Sequence, residues 1–349
     1  MNGLPDSASA TVGAAPAELP RAYGPPPLRA QLRTVPEDFL VEEVLGYTAD
    51  GQGEHAWLWI EKRETNTDWV AQRLARFTGT SAADVGYAGL KDRHALTRQA
   101  FSVHLPGAAE PDWSQFAEPG MKLLEATRHG RKLKRGALRG NRFVLLLRRV
   151  QGDRPRAEQV LERIAALGVP NYFGEQRFGM VGSNVEQARA MFAGRRVRRN
   201  TRSLLLSAAR SQIFNEVLAA RVCAGTWNQG LDGEIWSLAG SHSWFGPEPF
   251  TPTLAGRLAS GDICPSGPLW GEGDPPATAV AGALERAIGA LHPDLVAGLA
   301  AARMRQDRRP CRLLPRGLSW RWLEPDVLEL AFELPAGSYA TVVVRELVQ

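Results

Sequence analysis

The chain has 349 residues, 44% of them hydrophobic and 23% charged, with a formal net charge of +5. That is the composition of a globular protein, and the length suits one large domain or two moderate ones. No apolar run approaches the roughly 20 residues needed to span a bilayer, so no membrane partner is expected. Residues 1–27 are rich in Ala, Pro and Gly and lack the basic start and apolar core of a secretory signal. They are expected to form a disordered lead. Cys223, Cys264 and Cys311 lie far apart, and neither CxxC nor HExxH occurs. Walker A and GxGxxG patterns are also missing. The sequence therefore points to a cytoplasmic protein that works with no cofactor: no metal and no bound nucleotide.

In chain order, Ala30 to Gly46 reads as a strand pair around the turn Pro36-Glu37-Asp38. His55 to Lys62 alternates Trp57 and Trp59 against Leu58 and Ile60, the pattern of a strand buried on both faces. A helix fits Asp68 to Phe77, closed by Gly79. Ser81-Ala82-Ala83-Asp84 resembles a capping box. A strand at Val85 to Gly89, a polar loop at Lys91 to Thr97 and a strand at Gln99 to His104 follow. Phe143 to Leu147 is a further strand, and Ala157 to Leu167 a helix ended by Gly168. Ser207 to Val222 is helical, whereas Gly225 to Pro276 is rich in Gly, Pro and Trp with little periodicity. Ala281 to Arg305 reads as Ala-rich helix, and Ser319 to Leu334 as two strands around Glu324-Pro325-Asp326. Strand-rich ends thus enclose a helix-rich middle, which predicts an inserted domain within one α+β sheet domain.

Charge is unevenly spread. Ala126 to Gly152 contains no acid but carries Arg128, Arg131, Lys132, Lys134, Arg135, Arg139, Arg142, Arg148 and Arg149. Gln187 to Asn215 is acid-free in the same way and carries Arg189, Arg195, Arg196, Arg198, Arg199, Arg202 and Arg210. One such run is as readily a solvated face as a binding surface. Two of them favour a polyanion partner, because the guanidinium fork matches phosphate oxygens bidentately.

The segment most suggestive of chemistry is Gly86-Tyr87-Ala88-Gly89-Leu90-Lys91-Asp92-Arg93-His94-Ala95. A strand opens there into a loop that sets Asp92 among Lys91, Arg93, His94 and Arg98. Cations keep a carboxylate ionised, which suits a nucleophile or an electrostatic stabiliser. Composition alone favours an ordinary surface turn with ion pairs. The acids Glu37, Asp38 and Asp92 are also compatible with a glycosidase or nuclease, and the basic runs with a non-catalytic RNA-binding protein.

This segment resembles the signature of the TruD family of tRNA pseudouridine synthases. Five further stretches resemble family motifs in the same order: Val35-Pro36-Glu37-Asp38-Phe39, Gly136 to Phe143, Gly168 to Gly179, Ser207-Ala208-Ala209-Arg210-Ser211 and Leu334 to Thr341. The resemblance runs from about residue 28 to residue 349. It implies an α+β fold: a pseudouridine-synthase-type catalytic domain, residues 28–167 and 314–349, with a central mixed or antiparallel sheet flanked by helices. Residues 168–313 would form the family's inserted, helix-rich α/β domain.

By the same resemblance the activity is isomerisation of uridine to pseudouridine, at uridine 13 in the D-stem of tRNA, by a monomer. Asp92 corresponds to the catalytic aspartate. Phe39, Asn141, Phe143 and Tyr339 fall on positions that contact the target nucleotide, and Tyr339 stands where family members can have Phe. Arg33 sits where a cationic partner of the aspartate is expected, in competition with Lys91 and Arg93. Taken singly, Phe143 is equally a core residue starting a strand, and Asn141 a turn residue.

Overall fold

The computed structural model describes residues 18–107, 109–179 and 182–349; the disordered lead expected over residues 1–27 lies outside them as far as residue 17. The chain divides into two compact units. The first comprises Pro27–Gln159, Pro315–Ala340 and Val348–Gln349. The second comprises the described residues up to Pro26, Val160–Leu314 and Thr341–Leu347.

The elements begin with β1 (Leu28–Gln31), β2 (Phe39–Leu45), β3 (His55–Arg63), α1 (Thr67–Thr78), β4 (Val85–Tyr87), β5 (Leu96–His104), β6 (Met121–His129) and β7 (Leu138–Gly152). Next come α2 (Arg154–Leu167), β8 (Val169–Pro170), α3 (Ser183–Phe192), α4 (Arg199–Cys223), β9 (Glu234–Leu238) and β10 (Trp244–Glu248). These are followed by α5 (Pro252–Ala259), β11 (Ile263–Leu269), α6 (Ala279–Ala290), α7 (Pro293–Ala301), β12 (Asp307–Pro310) and β13 (Arg312–Leu313). The last are β14 (Arg316–Glu324), β15 (Val327–Pro335) and α8 (Ala340–Val344).

The first unit is built on a nine-stranded sheet in the order β14-β15-β7-β2-β5-β3-β6, with β1 also on β7 and β4 on β5. Strands β2 and β5 run parallel, and the remaining pairs of this sheet are antiparallel. The expected α+β class with a central mixed sheet is what the chain forms. One detail differs: β1 and β2 do not pair with each other, because both lie along β7. Strand β7 is 15 residues long, enough to take β2 along its first part and β1 along its last.

Helix α1 begins after Asn66 and ends at Gly79, whose φ of +68° lets its N–H reach back to Ala75 O. Its Val70, Ala71 and Leu74 pack on Leu58 and Ile60 of β3 and on Phe101 and Val103 of β5. Each fully buried Leu or Ile contributes about 1.5–3 kcal/mol. This cluster therefore holds the sheet and helix together around the strands that carry the site.

In the second unit, β10, β9, β11 and β12 make a four-stranded antiparallel sheet. Helices α3, α4, α6 and α7 share one core that includes Leu205, Ile213, Val217, Ile288 and Leu299. The single helix expected over Ala281 to Arg305 is two, since Pro293 supplies no N–H to continue α6 and instead starts α7. No helix among the described residues is long and apolar enough to cross a membrane.

Candidate functional site

The site follows from strand alternation on the first unit's sheet. Phe39, Val41 and Glu43 share one face of β2, and Val41 is opposite Phe143 of β7 and Thr97 of β5. Thr97 in turn faces Lys62 of β3, and Phe143 faces Phe332 of β15. One transverse row therefore reads Lys62, Thr97, Val41, Phe143, Phe332. A neighbouring row sets Asn141 between Glu43 and Leu334. Phe39 meets Phe143 edge to face at 6.2 Å, and Phe143 meets Phe332 at 5.6 Å. Both Phe39 and Phe143 are buried.

Asp92 lies in the loop between β4 and β5, ahead of the strand that runs parallel to β2. Its Oδ2 is 3.2 Å from Arg33 Nη1, and its Oδ1 accepts the His94 N–H at 3.0 Å. Arg33 precedes β2, and its guanidinium lies over the Phe39 ring, 4.0 Å from the centroid. The Arg33 backbone has a φ of +56°, in the left-handed region that non-glycine residues rarely adopt. Thus Arg33, Phe39, Phe143 and Asp92 are brought together in one chain of contacts.

The cations adjacent to Asp92 in sequence are engaged elsewhere. Lys91 Nζ donates to Glu43 Oε1 at 2.7 Å, Arg93 Nε to Glu64 O at 3.3 Å, and Arg98 Nε to Glu61 Oε2 at 2.9 Å. Glu43 also accepts the Ala100 N–H at 3.1 Å. Lys91 N–H donates to Thr67 Oγ1, whose hydroxyl donates to Gln99, and Gln99 Nε2 donates to Gly89 O. The base of the loop is therefore tied to α1, β2 and β5, while the Asp92 carboxylate meets Arg33 and the His94 N–H.

Asn141 Oδ1 is buried and accepts no hydrogen bond, and Thr97 Oγ1 on the same face is in the same state. Tyr339 is half-buried and follows the end of β15, where Leu334 and Pro335 are in register with Asn141 and Gly140. Of the two other acids, Asp38 is buried and ion-paired with Arg148, and Glu37 pairs with Arg63. Neither of these carboxylates is held by Arg33.

Sequence reasoning missed Lys62 and Glu43. Lys62 is 1% exposed, and its Nζ donates to Thr65 O at 2.7 Å. Burial pushes its ammonium down from 10.5 to about 8, with the Asp92 charge opposing that shift. Alternation places Lys62 on the face of Leu58 and Ile60, and Glu43 on that of Phe39 and Val41, but does not give the cross-strand register that brings them beside the site. Among the described residues no group of three or more His, Cys, Asp or Glu side chains is arranged to hold a metal ion.

The chain is similar to known proteins over nearly its whole length. The family profile described as tRNA pseudouridine synthase D (TruD) matches residues 21–194 and 180–347. A tRNA pseudouridine synthase D of Xanthomonas axonopodis pv. citri is 50% identical over 346 residues, covering 94% of each chain. That of Ectopseudomonas mendocina is 52% identical over 338 residues, again covering 94% of each. A crystal structure from Methanosarcina mazei, described as TruD, matches with a TM-score of 0.74 at 22% identity, over 94% of this chain and 95% of that one. That likeness speaks to the fold, while the more similar sequences speak to the family. The chain belongs to the TruD family of tRNA pseudouridine synthases.

Proposed function

We propose that this protein isomerises uridine to pseudouridine in tRNA, at uridine 13 of the D-stem, with Asp92 as the nucleophile. The observation that carries the reading is the Asp92 carboxylate paired with Arg33, whose guanidinium in turn lies over the Phe39 ring. The reaction breaks the N1–C1′ bond, turns the base and joins C5 to C1′. The C5 proton leaves and N1 regains one, so the product is an isomer and no oxidant or added group is needed. A carboxylate serves as nucleophile in such glycosyl chemistry, attacking C1′ or acting through the base.

The uridine must first leave its stack, which costs a few kcal/mol. Stacking on aromatic rings returns about 1–3 kcal/mol per base. Phe39, Phe143 and Tyr339 are the rings that would receive it. Asn141 Oδ1, buried without a donor, suits the N3–H of a uracil edge. Arg33 pairs with the Asp92 carboxylate at 3.2 Å and orients it, as the attacking group of such a reaction requires. Orientation in a fixed pocket supplies much of the barrier reduction, because an isolated uracil has no tendency to migrate.

In this reading residues 28–167 and 314–349 form the catalytic domain, and residues 168–313 an inserted domain that contacts tRNA. The protein works as a cytoplasmic monomer, in keeping with its three free cysteines. Chemical mapping of pseudouridine in tRNA incubated with and without the protein tests the function. A new pseudouridine at position 13, with RNA mass unchanged and no uracil released, is the expected result. Released uracil or cut strands would establish a glycosidase or nuclease instead.

A further inference from the structure

Two of the sequence motifs, Gly168 to Gly179 and Ser207 to Ser211, take no part in the Asp92 site. In the second unit they meet. Asn215 of α4 clasps the backbone of Phe173, accepting its N–H at 2.8 Å and donating to its carbonyl at 3.0 Å. Arg177 Nη1 donates to Ser207 Oγ at 2.8 Å. Beside this junction lies a cavity of about 420 Å3, whose lining includes Phe173, Arg199, Arg202, Ser207, Arg210 and Ser211. That volume is in the range of small-ligand sites, about 300–1,000 Å3.

The chemistry of the lining is one-sided, with three guanidinium groups, hydroxyls and no carboxylate. Arg210 is fixed by donating to the Leu269 and Arg305 carbonyls, and its buried Nε has no partner. Arg199 and Arg202 are exposed on the first turn of α4, and neither makes an ion pair among the described residues. Leu206, Leu269 and Met304 complete an apolar wall. Guanidinium groups together with apolar side chains fit a phosphate with its attached nucleoside.

We propose that this cavity is a second nucleotide subsite, which binds one phosphodiester-linked nucleotide of the RNA other than the target uridine. The proposal rests on the RNA-modifying reading above. It gives the second acid-free run a specific role, in which Arg199, Arg202 and Arg210 line the subsite. Arg195 and Arg196, outside the lining, add only general attraction.

The test measures tRNA binding across a salt series in the Asp92→Ala background, where turnover does not intervene. Arg202→Ala should weaken binding about fivefold and lower the salt slope by about one. Arg195→Ala, exposed in the same run, should change affinity less than twofold. Equal losses for the two variants, or no loss for Arg202→Ala, would overturn the subsite. If uridine monophosphate protects the protein that retains Arg202 against thermal unfolding while RNA affinity is unaffected by Arg202→Ala, the site takes a free nucleotide and the proposal fails. If the Asp92→Ala protein itself binds no tRNA, the RNA reading fails with it.

Discussion

Lys91 and Glu43, 48 residues apart in sequence, form a 2.7 Å ion pair with side chains 4% and 0% exposed, immediately before Asp92. Removing one partner strands a charge in the interior at a cost of about 3–5 kcal/mol, whereas replacing both with apolar groups is close to neutral. Glu43→Gln should therefore lower unfolding stability in urea by that amount. The double variant Glu43→Gln/Lys91→Met, which keeps an acceptor for the Ala100 N–H, should recover most of it. Equal stability of the double and single variants would show that the pair does not carry the charge balance of the loop.

Arg33 and Asp92 make the opposite case. Their side chains are 30% and 29% exposed, and such pairs contribute about 0–1 kcal/mol to stability. Arg33→Ala should leave the melting temperature nearly unchanged. Pseudouridine formation should fall about 100-fold, equivalent to about 2.7 kcal/mol of activation free energy. Arg33→Lys, which keeps charge but loses the planar fork over Phe39, should recover part of that loss. A variant that loses stability and activity in proportion would mark Arg33 as structural only.

Lys62 predicts a pH dependence. Its folded pKa of about 8 lies below its unfolded value of 10.5. Between these values the unfolded chain holds the proton and the folded chain does not, so stability rises with pH across that window. Below about pH 8 the buried charge costs about 3 kcal/mol in full. Lys62→Met should raise stability at pH 7 and flatten the increase between pH 8 and 10. An unchanged slope in urea unfolding across that window would contradict the assignment.

Elements whose sequence pattern coincides with their burial were legible. Strand β3 alternates as it packs, α1 closes at a glycine with positive φ, and β14 and β15 flank the turn Glu324-Pro325-Asp326. Strand β6 was not, because it is largely exposed and pairs only along one edge with β3. Strand β11 was hidden by Pro265 and Pro268, which disfavour a strand locally yet lie between β9 and β12. Helix α4 starts at Arg199 rather than Ser207, so Arg199 and Arg202 of the arginine run stand in its first turn.

The site divides in the same way. Asp92, Phe39 and Phe143 stand in recognisable segments, and the structure joins them through Arg33. Arg33 was expected as the partner of Asp92 in competition with Lys91 and Arg93, and the local sequence left that choice open because the nearer cations are directed elsewhere only in the fold. Glu43 and Lys62 owe their place to cross-strand register, a long-range property that a local motif does not carry.

The most direct measurement compares Asp92→Asn with the parent protein on the same tRNA, scoring pseudouridine formed and tRNA bound. With Asp92 as nucleophile, the variant binds tRNA within about twofold of the parent and forms no pseudouridine above background, since amide for carboxylate removes the attacking group. Pseudouridine formed by the Asp92→Asn protein at a rate near the parent's would contradict it.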